Sequence, residues 1–114
     1  MKKKTKKKTK AQLAKKERSL KRRAWKELSA KTRAERGACE ICGATDRLVV
    51  HHILWRRTRK DLVLEPNNLI CLCAKQHFVL HRGHEVEFLE WLRRNKPEQF
   101  EWVMEQARKF NQFG

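Results

Sequence analysis

Four of the five histidines stand at spacings that could do chemistry. His77 and His81 are four residues apart, which on a helix sets one imidazole above the other, so that both can meet one metal ion. His51 and His52 are adjacent, while His84 lies beyond these pairs beside acidic residues and reads as surface. The four cysteines form a second set. Cys39-Glu40-Ile41-Cys42-Gly43 has the two-residue gap and trailing glycine of a zinc knuckle, in which both thiolates reach one tetrahedral ion. Cys73 should supply the third sulfur. A fourth ligand would normally follow three residues later, but that residue is Gln76, a poor zinc ligand. Cys71, two residues before Cys73, shares its face on an extended segment and could substitute if the backbone bends; otherwise the ion takes a water or binds weakly. The competing reading is four reduced cysteines packed as small apolar residues.

These side chains need elements to position them. Leu48-Val49-Val50-His51-His52-Ile53-Leu54 is β-branched and apolar, which predicts a strand. Neighbours on a strand face opposite ways, so two histidines acting at one site imply a strand end, with the loop Trp55-Arg56-Arg57-Thr58-Arg59-Lys60 taking over. Leu62-Val63-Leu64 reads as part of a second extended segment or its approach, Glu65-Pro66-Asn67-Asn68 as a turn, and Leu69-Ile70-Cys71-Leu72 as an apolar segment entering a short helix after Cys73. Gly83 would end that helix. Val86, Phe88, Leu89, Trp91 and Leu92 mark one amphipathic helix, and Pro97 can open another carrying Phe100, Val103, Met104 and Ala107. Residues 84–114 should therefore pack on the small unit at 37–83 and supply core that it lacks. Trp102, Phe110 and Phe113 are open to a core or a partner-binding reading.

Charge is distributed unevenly. The 114 residues carry 29 Lys plus Arg against 13 Asp plus Glu, a formal net charge of +16. Residues 1–36 alone hold 17 basic residues and 3 glutamates. Self-repulsion and low hydrophobicity predict a disordered basic tail over 1–18. Leu20, Ala24, Trp25 and Leu28 predict a helix over 19–36, with Gly37 as its stop. Arg22 and Arg23 on that helix are candidate phosphate contacts, or equally a solvated face. Such charge attracts phosphate polymers, and the lack of an apolar face in the basic run favours nucleic acid over membrane. The length excludes a two-domain enzyme, and no apolar run approaches the roughly 18 residues of a bilayer span. The start MKKKTKKKTK lacks the apolar stretch of a secretory signal, so an intracellular, cytoplasmic protein with reduced cysteines is expected.

The succession Cys39-x-x-Cys42, His51-His52-Ile53, Asn68-Leu69, Cys73 and His77-x-x-x-His81 resembles the HNH endonuclease family over residues 37–83. The stretch from His81 to Leu92 is similar to the tail of small phage-type members. The resemblance implies an α+β chain with a ββα-metal (His-Me finger) core, a zinc knuckle and flanking helices, active as a metal-dependent DNA endonuclease of low sequence specificity. It implies His52 as the general base, and His51, His77 and His81 as ligands of one catalytic divalent ion, magnesium, manganese, nickel or zinc. Asn68 would fix the loop that carries the base or bind the metal itself. A structural zinc would rest on Cys39, Cys42 and Cys73, with Cys71 as the alternative fourth ligand. Arg56, Arg57, Arg59 and Lys60 would grip phosphates beside the scissile bond, unless they form only a solvated basic loop. DNA is the expected partner, held mainly by its backbone. For a phage-type member the compartment is the host cytoplasm, and packaging machinery is a candidate protein partner. The rival expectation is a non-catalytic, zinc-stabilised nucleic-acid-binding module that keeps the same fold, for which Gln76 is the best support.

Overall fold

The computed structural model describes Lys7 and residues 9–113, with side chains as far as Lys109. Most of the lysine-rich start, and the side chains of Phe110 and Phe113, thus lie outside the described residues. Helix α1 spans Lys10–Arg36, so residues 10–18, expected as disordered tail, are helical and the helix starts nine residues ahead of position 19. The cause is local. Thr9 Oγ1 accepts from the Gln12 amide (3.2 Å) while Gln12 Oε1 accepts from the Thr9 amide (2.9 Å), a reciprocal capping box. Behind it stand Lys, Ala, Leu and Gln, all good helix formers. The Glu17–Lys21 pair at 2.9 Å bridges successive turns, and the remaining charges point into water, where their repulsion is screened. At the other end Gly37 takes the left-handed conformation (φ 70°) and its amide caps the Arg33 carbonyl at 2.9 Å.

Strand β1 (Leu48–His52) pairs antiparallel with β2 (Leu69–Cys73), with Leu48 opposite Cys73, Val50 opposite Cys71 and His52 opposite Leu69. The segment around Leu62-Val63-Leu64 is an approach, not a strand. It holds a 3-10 turn at Lys60–Leu62, and a second at Pro66–Asn68 leads directly into β2. Proline opens that second turn, and the Glu65 carboxylate accepts from the Asn67 amide, which sets the bend. Helices α2 (Ala74–Leu80), α3 (Glu85–Asn95) and α4 (Pro97–Phe113) complete the chain, giving a mixed α+β architecture that is mostly helical around a two-stranded sheet.

Every residue of β2 is buried, and Leu69, Ile70 and Leu72 are sealed from solvent. A strand covered on both faces reads as an uninterrupted apolar run, as this one does. On one side Ile70 and Leu72 meet Ile53, Leu80, Phe88, Leu92 and Val103, so α3 and α4 contribute directly to the core, with Trp102 packed half-buried against it. On the other side α1 lies over the sheet through its C-terminal half, where Ser29 and Thr32 are its two buried residues. Among the described residues no helix is long and apolar enough to cross a membrane.

Candidate metal centres

Two clusters of potential metal ligands converge from the fold, Cys39 with Cys42 and Cys73, and His51 with His77 and His81. Within each, the donor atoms all lie within 4.8 Å of one another. The cysteine cluster is built on a tight turn. The Cys39 amide donates to the Ala44 carbonyl (2.8 Å) and the Gly43 amide to the Cys39 carbonyl (2.9 Å), which closes the knuckle, and Gly43 takes the required positive φ of 79°. Cys42 Sγ stands 3.6 Å from Cys73 Sγ. Sulfurs held ~2.3 Å from a tetrahedral zinc lie about 3.8 Å apart, so the spacing fits that ion. Burial opposes ionisation of Cys39, yet the amides of Cys42, Cys73 and Ile41 outweigh it and pull this thiol below its ordinary pKa. At Cys42 the Ala44 amide is outweighed by the neighbouring Cys39 and Cys73 thiols, which push it up.

Cys71, the expected alternative fourth ligand, is not part of the cluster. Cys73 is the residue at which β2 turns into α2, and it joins Ile70 and Leu72 in the core, so the shared face expected of residues two apart is lost at the strand end. Cys71 instead carries main-chain bonds, its amide donating to Glu40 Oε2 (2.7 Å) and its carbonyl accepting from the Glu40 amide (2.9 Å). Burial, then the nearby Glu40 carboxylate, pushes its thiol up, away from the ligating form. Gln76 sits half-buried on α2, beside a hollow it shares with Ile41 and His84. Among the described residues no fourth cysteine, histidine or carboxylate completes the set. Glu40, inside the knuckle, went unnoticed in the sequence. Its buried carboxylate also takes Arg36 from α1 and Lys96 from the α3–α4 junction, and so ties three parts of the chain to the turn.

The histidine cluster opens onto a cleft. His51 and His52 end β1, both buried and, as strand geometry requires, directed to different neighbours. His51 meets His77 and His81 edge-on, with ring centroids 5.2 and 5.4 Å away, while Nε2 of His77 and Nε2 of His81 lie 2.9 Å apart across one helical turn. Burial, then the proximity of His77, His81 and His52, depresses the His51 pKa to about 3, and burial followed by His81 lowers that of His77. Both are therefore neutral near pH 7, with lone pairs available. Neutral imidazoles from two elements suit zinc or nickel better than magnesium, which prefers oxygen donors.

His52 turns towards α1, where its ring lies 4.4 Å from that of Trp25 at 33°. Its Nε2 is 3.0 Å from the Val63 carbonyl. A carbonyl only accepts, so Nε2 carries the proton and Nδ1 keeps its lone pair. Burial lowers the pKa of His52, the Val63 carbonyl opposes this, and Arg56 adds to it. Asn68 controls where Val63 sits. It is fully buried, its Oδ1 accepting from the Leu54 amide (2.7 Å) and its Nδ2 donating to the carbonyls of Leu54 (3.0 Å) and Leu62 (3.2 Å). One side chain thus closes the whole loop between the strands.

His51, His52, His77 and His81 line one cleft of about 510 Å³, together with Arg56 and Arg57. The far wall is α1, through Trp25, Ser29 and Arg33. Arg22 and Arg23 are exposed on the same helix but do not line the cleft, and Lys60 is exposed nearby in the chain. Arg33 was missed in the sequence, although the four-residue spacing of 25, 29 and 33 marks one helical face. Arg59 is a correction. It is buried, with Nε and Nη2 donating to the two Asp61 oxygens (3.0 and 2.9 Å) and Nη1 to the Gln106 carbonyl (2.7 Å), so it anchors the loop to α4. A basic loop residue and a structural anchor look alike until the partner 47 positions away is seen. Neither family models, nor curated proteins, nor solved structures yield a match to this chain.

Proposed function

We propose that this chain is a metal-dependent endonuclease of the HNH kind, built on a ββα-metal core, that hydrolyses DNA phosphodiester bonds with low sequence specificity. The observation that carries this reading is the convergence of His51, His77 and His81 beside His52, whose protonated nitrogen is tied to Val63. In the proposed mechanism Nδ1 of His52 takes the proton of the attacking water, and its lowered pKa keeps it neutral and ready at cellular pH. Trp25 and the Val63 carbonyl hold the ring, and Asn68 holds the segment that carries Val63. Arg33, Arg56 and Arg57 supply positive charge around the cleft for the phosphates on either side of the cut. A divalent ion on His51, His77 and His81 would stabilise the charge growing on phosphorus and on the leaving 3′ oxygen. Zinc on Cys39, Cys42 and Cys73 would serve the fold.

A second reading, a zinc-stabilised nucleic-acid-binding module without catalysis, is favoured by one observation, the three-membered cysteine cluster. One experiment separates the two. Metal-stripped protein is given supercoiled plasmid or single-stranded DNA with magnesium, manganese, nickel or zinc restored, beside His52→Ala prepared identically. The nuclease reading expects relaxed or linear plasmid, or cut single strand, with at least one metal and a loss of roughly 10²- to 10⁴-fold in the variant. Plasmid and single-stranded DNA that are both bound but uncut with every metal, by protein shown to be folded, overturn it in favour of the binding module.

A further inference from the structure

The cleft has aromatic walls as well as basic ones. Trp25 from α1 and Trp55 from the loop after β1 both line it, beside Arg33, Arg56 and Arg57. Trp25 has its ring against His52, whereas Trp55 is 50% exposed. That exposure is not the result of a loose backbone. The Trp55 carbonyl accepts from the Thr58 amide (3.1 Å), the Thr58 hydroxyl (3.2 Å) and the Arg59 amide (2.9 Å). Arg59 is in turn locked to Asp61 and to α4. A rigid turn therefore presents half an indole to water at the rim of the catalytic cleft, beside the arginines. Phosphates would use the arginines but have no use for an indole face. Nucleobases do, because each has a π-face that stacks on an aromatic ring, and a basic groove with aromatic platforms suits a single polynucleotide strand. The cleft, of about 510 Å³, has room for nucleotides unstacked from their neighbours.

We infer that the cleft takes one polynucleotide strand, with Trp55 stacked on an unpaired base beside the scissile phosphate. The preferred substrate is then single-stranded, frayed or flapped nucleic acid, not intact duplex. This inference rests on the nuclease reading for the cut itself, but the strand preference can be measured without any cleavage.

The test titrates the full chain, without added divalent metal, into end-labelled oligo(dT), oligo(rU) and a blunt dA·dT duplex of equal length, following anisotropy and tryptophan quenching. Trp55→Ala and Trp55→Phe are run alongside, with thermal melting to show that each is folded. One or both single strands should bind tighter than duplex, and the dT and rU arms show whether DNA or RNA is the source of the strand. Trp55→Ala should lose about tenfold on the single strand, within the range of one stacked base, and little on duplex. Trp55→Phe should keep most of the affinity, and the loss should be similar at low and high salt because stacking releases no counterions. Equal affinity of the parent for single strand and duplex overturns the inference, as does an equal loss on both in Trp55→Ala. A partly duplex oligonucleotide with a single-stranded arm, supplied with metal, then keeps the two claims apart. Cuts confined to the unpaired arm or its junction are expected, and cuts within paired sequence overturn the strand preference while leaving the nuclease reading intact. No cut at all, together with a strand preference in binding, overturns the nuclease reading and leaves the stacking platform standing.

Discussion

The cysteine and histidine clusters are alike in outline, each with three donors drawn from two places in the chain and each with one exposed member, Cys42 and His81, yet their neighbours differ. Cys39 and Cys73 belong to the same buried core as Leu72, Leu92 and Val103. His77 and His81 edge a cleft, beside a fourth histidine whose proton is already assigned. A site embedded in the core gives mainly folding energy, whereas a site on a cleft can meet a substrate. Three converging ligands therefore do not define a role. What decides it is whether solvent, and a group able to move a proton, share the space around them.

Variants can break or sharpen this contrast, and the largest effect is expected at the cysteines. Cys39→Ser should lower stability by several kcal/mol and release bound zinc, whereas His77→Ala should leave the thermal midpoint within a few degrees of the parent. Melting curves with metal analysis check this, and the contrast fails if His77→Ala destabilises as much as Cys39→Ser. Next comes Asn68→Ala, which strands the Leu54 amide and the carbonyls of Leu54 and Leu62 inside the protein, at a cost of about 3 kcal/mol in urea unfolding. It should also reduce plasmid cleavage, because His52 loses a fixed Val63 carbonyl. A stable Asn68→Ala protein would mean that the loop closes without this side chain.

Acid should act gradually, over several pH units. The unfolded chain protonates His51 below pH ~6.5, while the folded chain, where its pKa is about 3, does not. Between those values the unfolded state binds more protons. Stability of the metal-free protein is thus fully present above pH ~6.5 and falls as pH drops towards 3. His52 and His77, also shifted downward, act with the same sign. The urea midpoint should decline from pH 7 to about pH 4, with a shallower slope in His51→Leu, and an unchanged slope in that variant would remove His51 from the account. The smallest effect is expected at Arg22 and Arg23, exposed on α1 outside the cleft. Replacing both by alanine should weaken binding to all sequences alike and reduce the salt slope by about two counterions, read by anisotropy over a salt series. A full salt slope in the double variant would leave these arginines as a solvated face.

The parts legible in the sequence were those set by short-range geometry. A two-residue gap with a following glycine folds into a knuckle, four residues make one helical turn between His77 and His81, Gly37 can end a helix, and Pro97 can begin one. Each follows from backbone sterics within a few residues. The early start of α1 was also local. The Thr9–Gln12 capping box is written in the sequence and prevails over the repulsion of the screened lysines.

Only tertiary packing could decide the rest, because it depends on which distant groups arrive. Arg59 became an anchor when α4 brought the Gln106 carbonyl to it, and Glu40 a clasp when Arg36 and Lys96 arrived from two sides. Cys71 was separated from Cys73 by the turn into α2. Trp25 met His52 only because α1 lies back across the sheet. The sequence by itself determined which residues could act, since side-chain chemistry and local spacing are written in it. The tertiary structure decided which face a cleft and which are buried in the core, since burial and partnership are properties of contacts made across the whole chain.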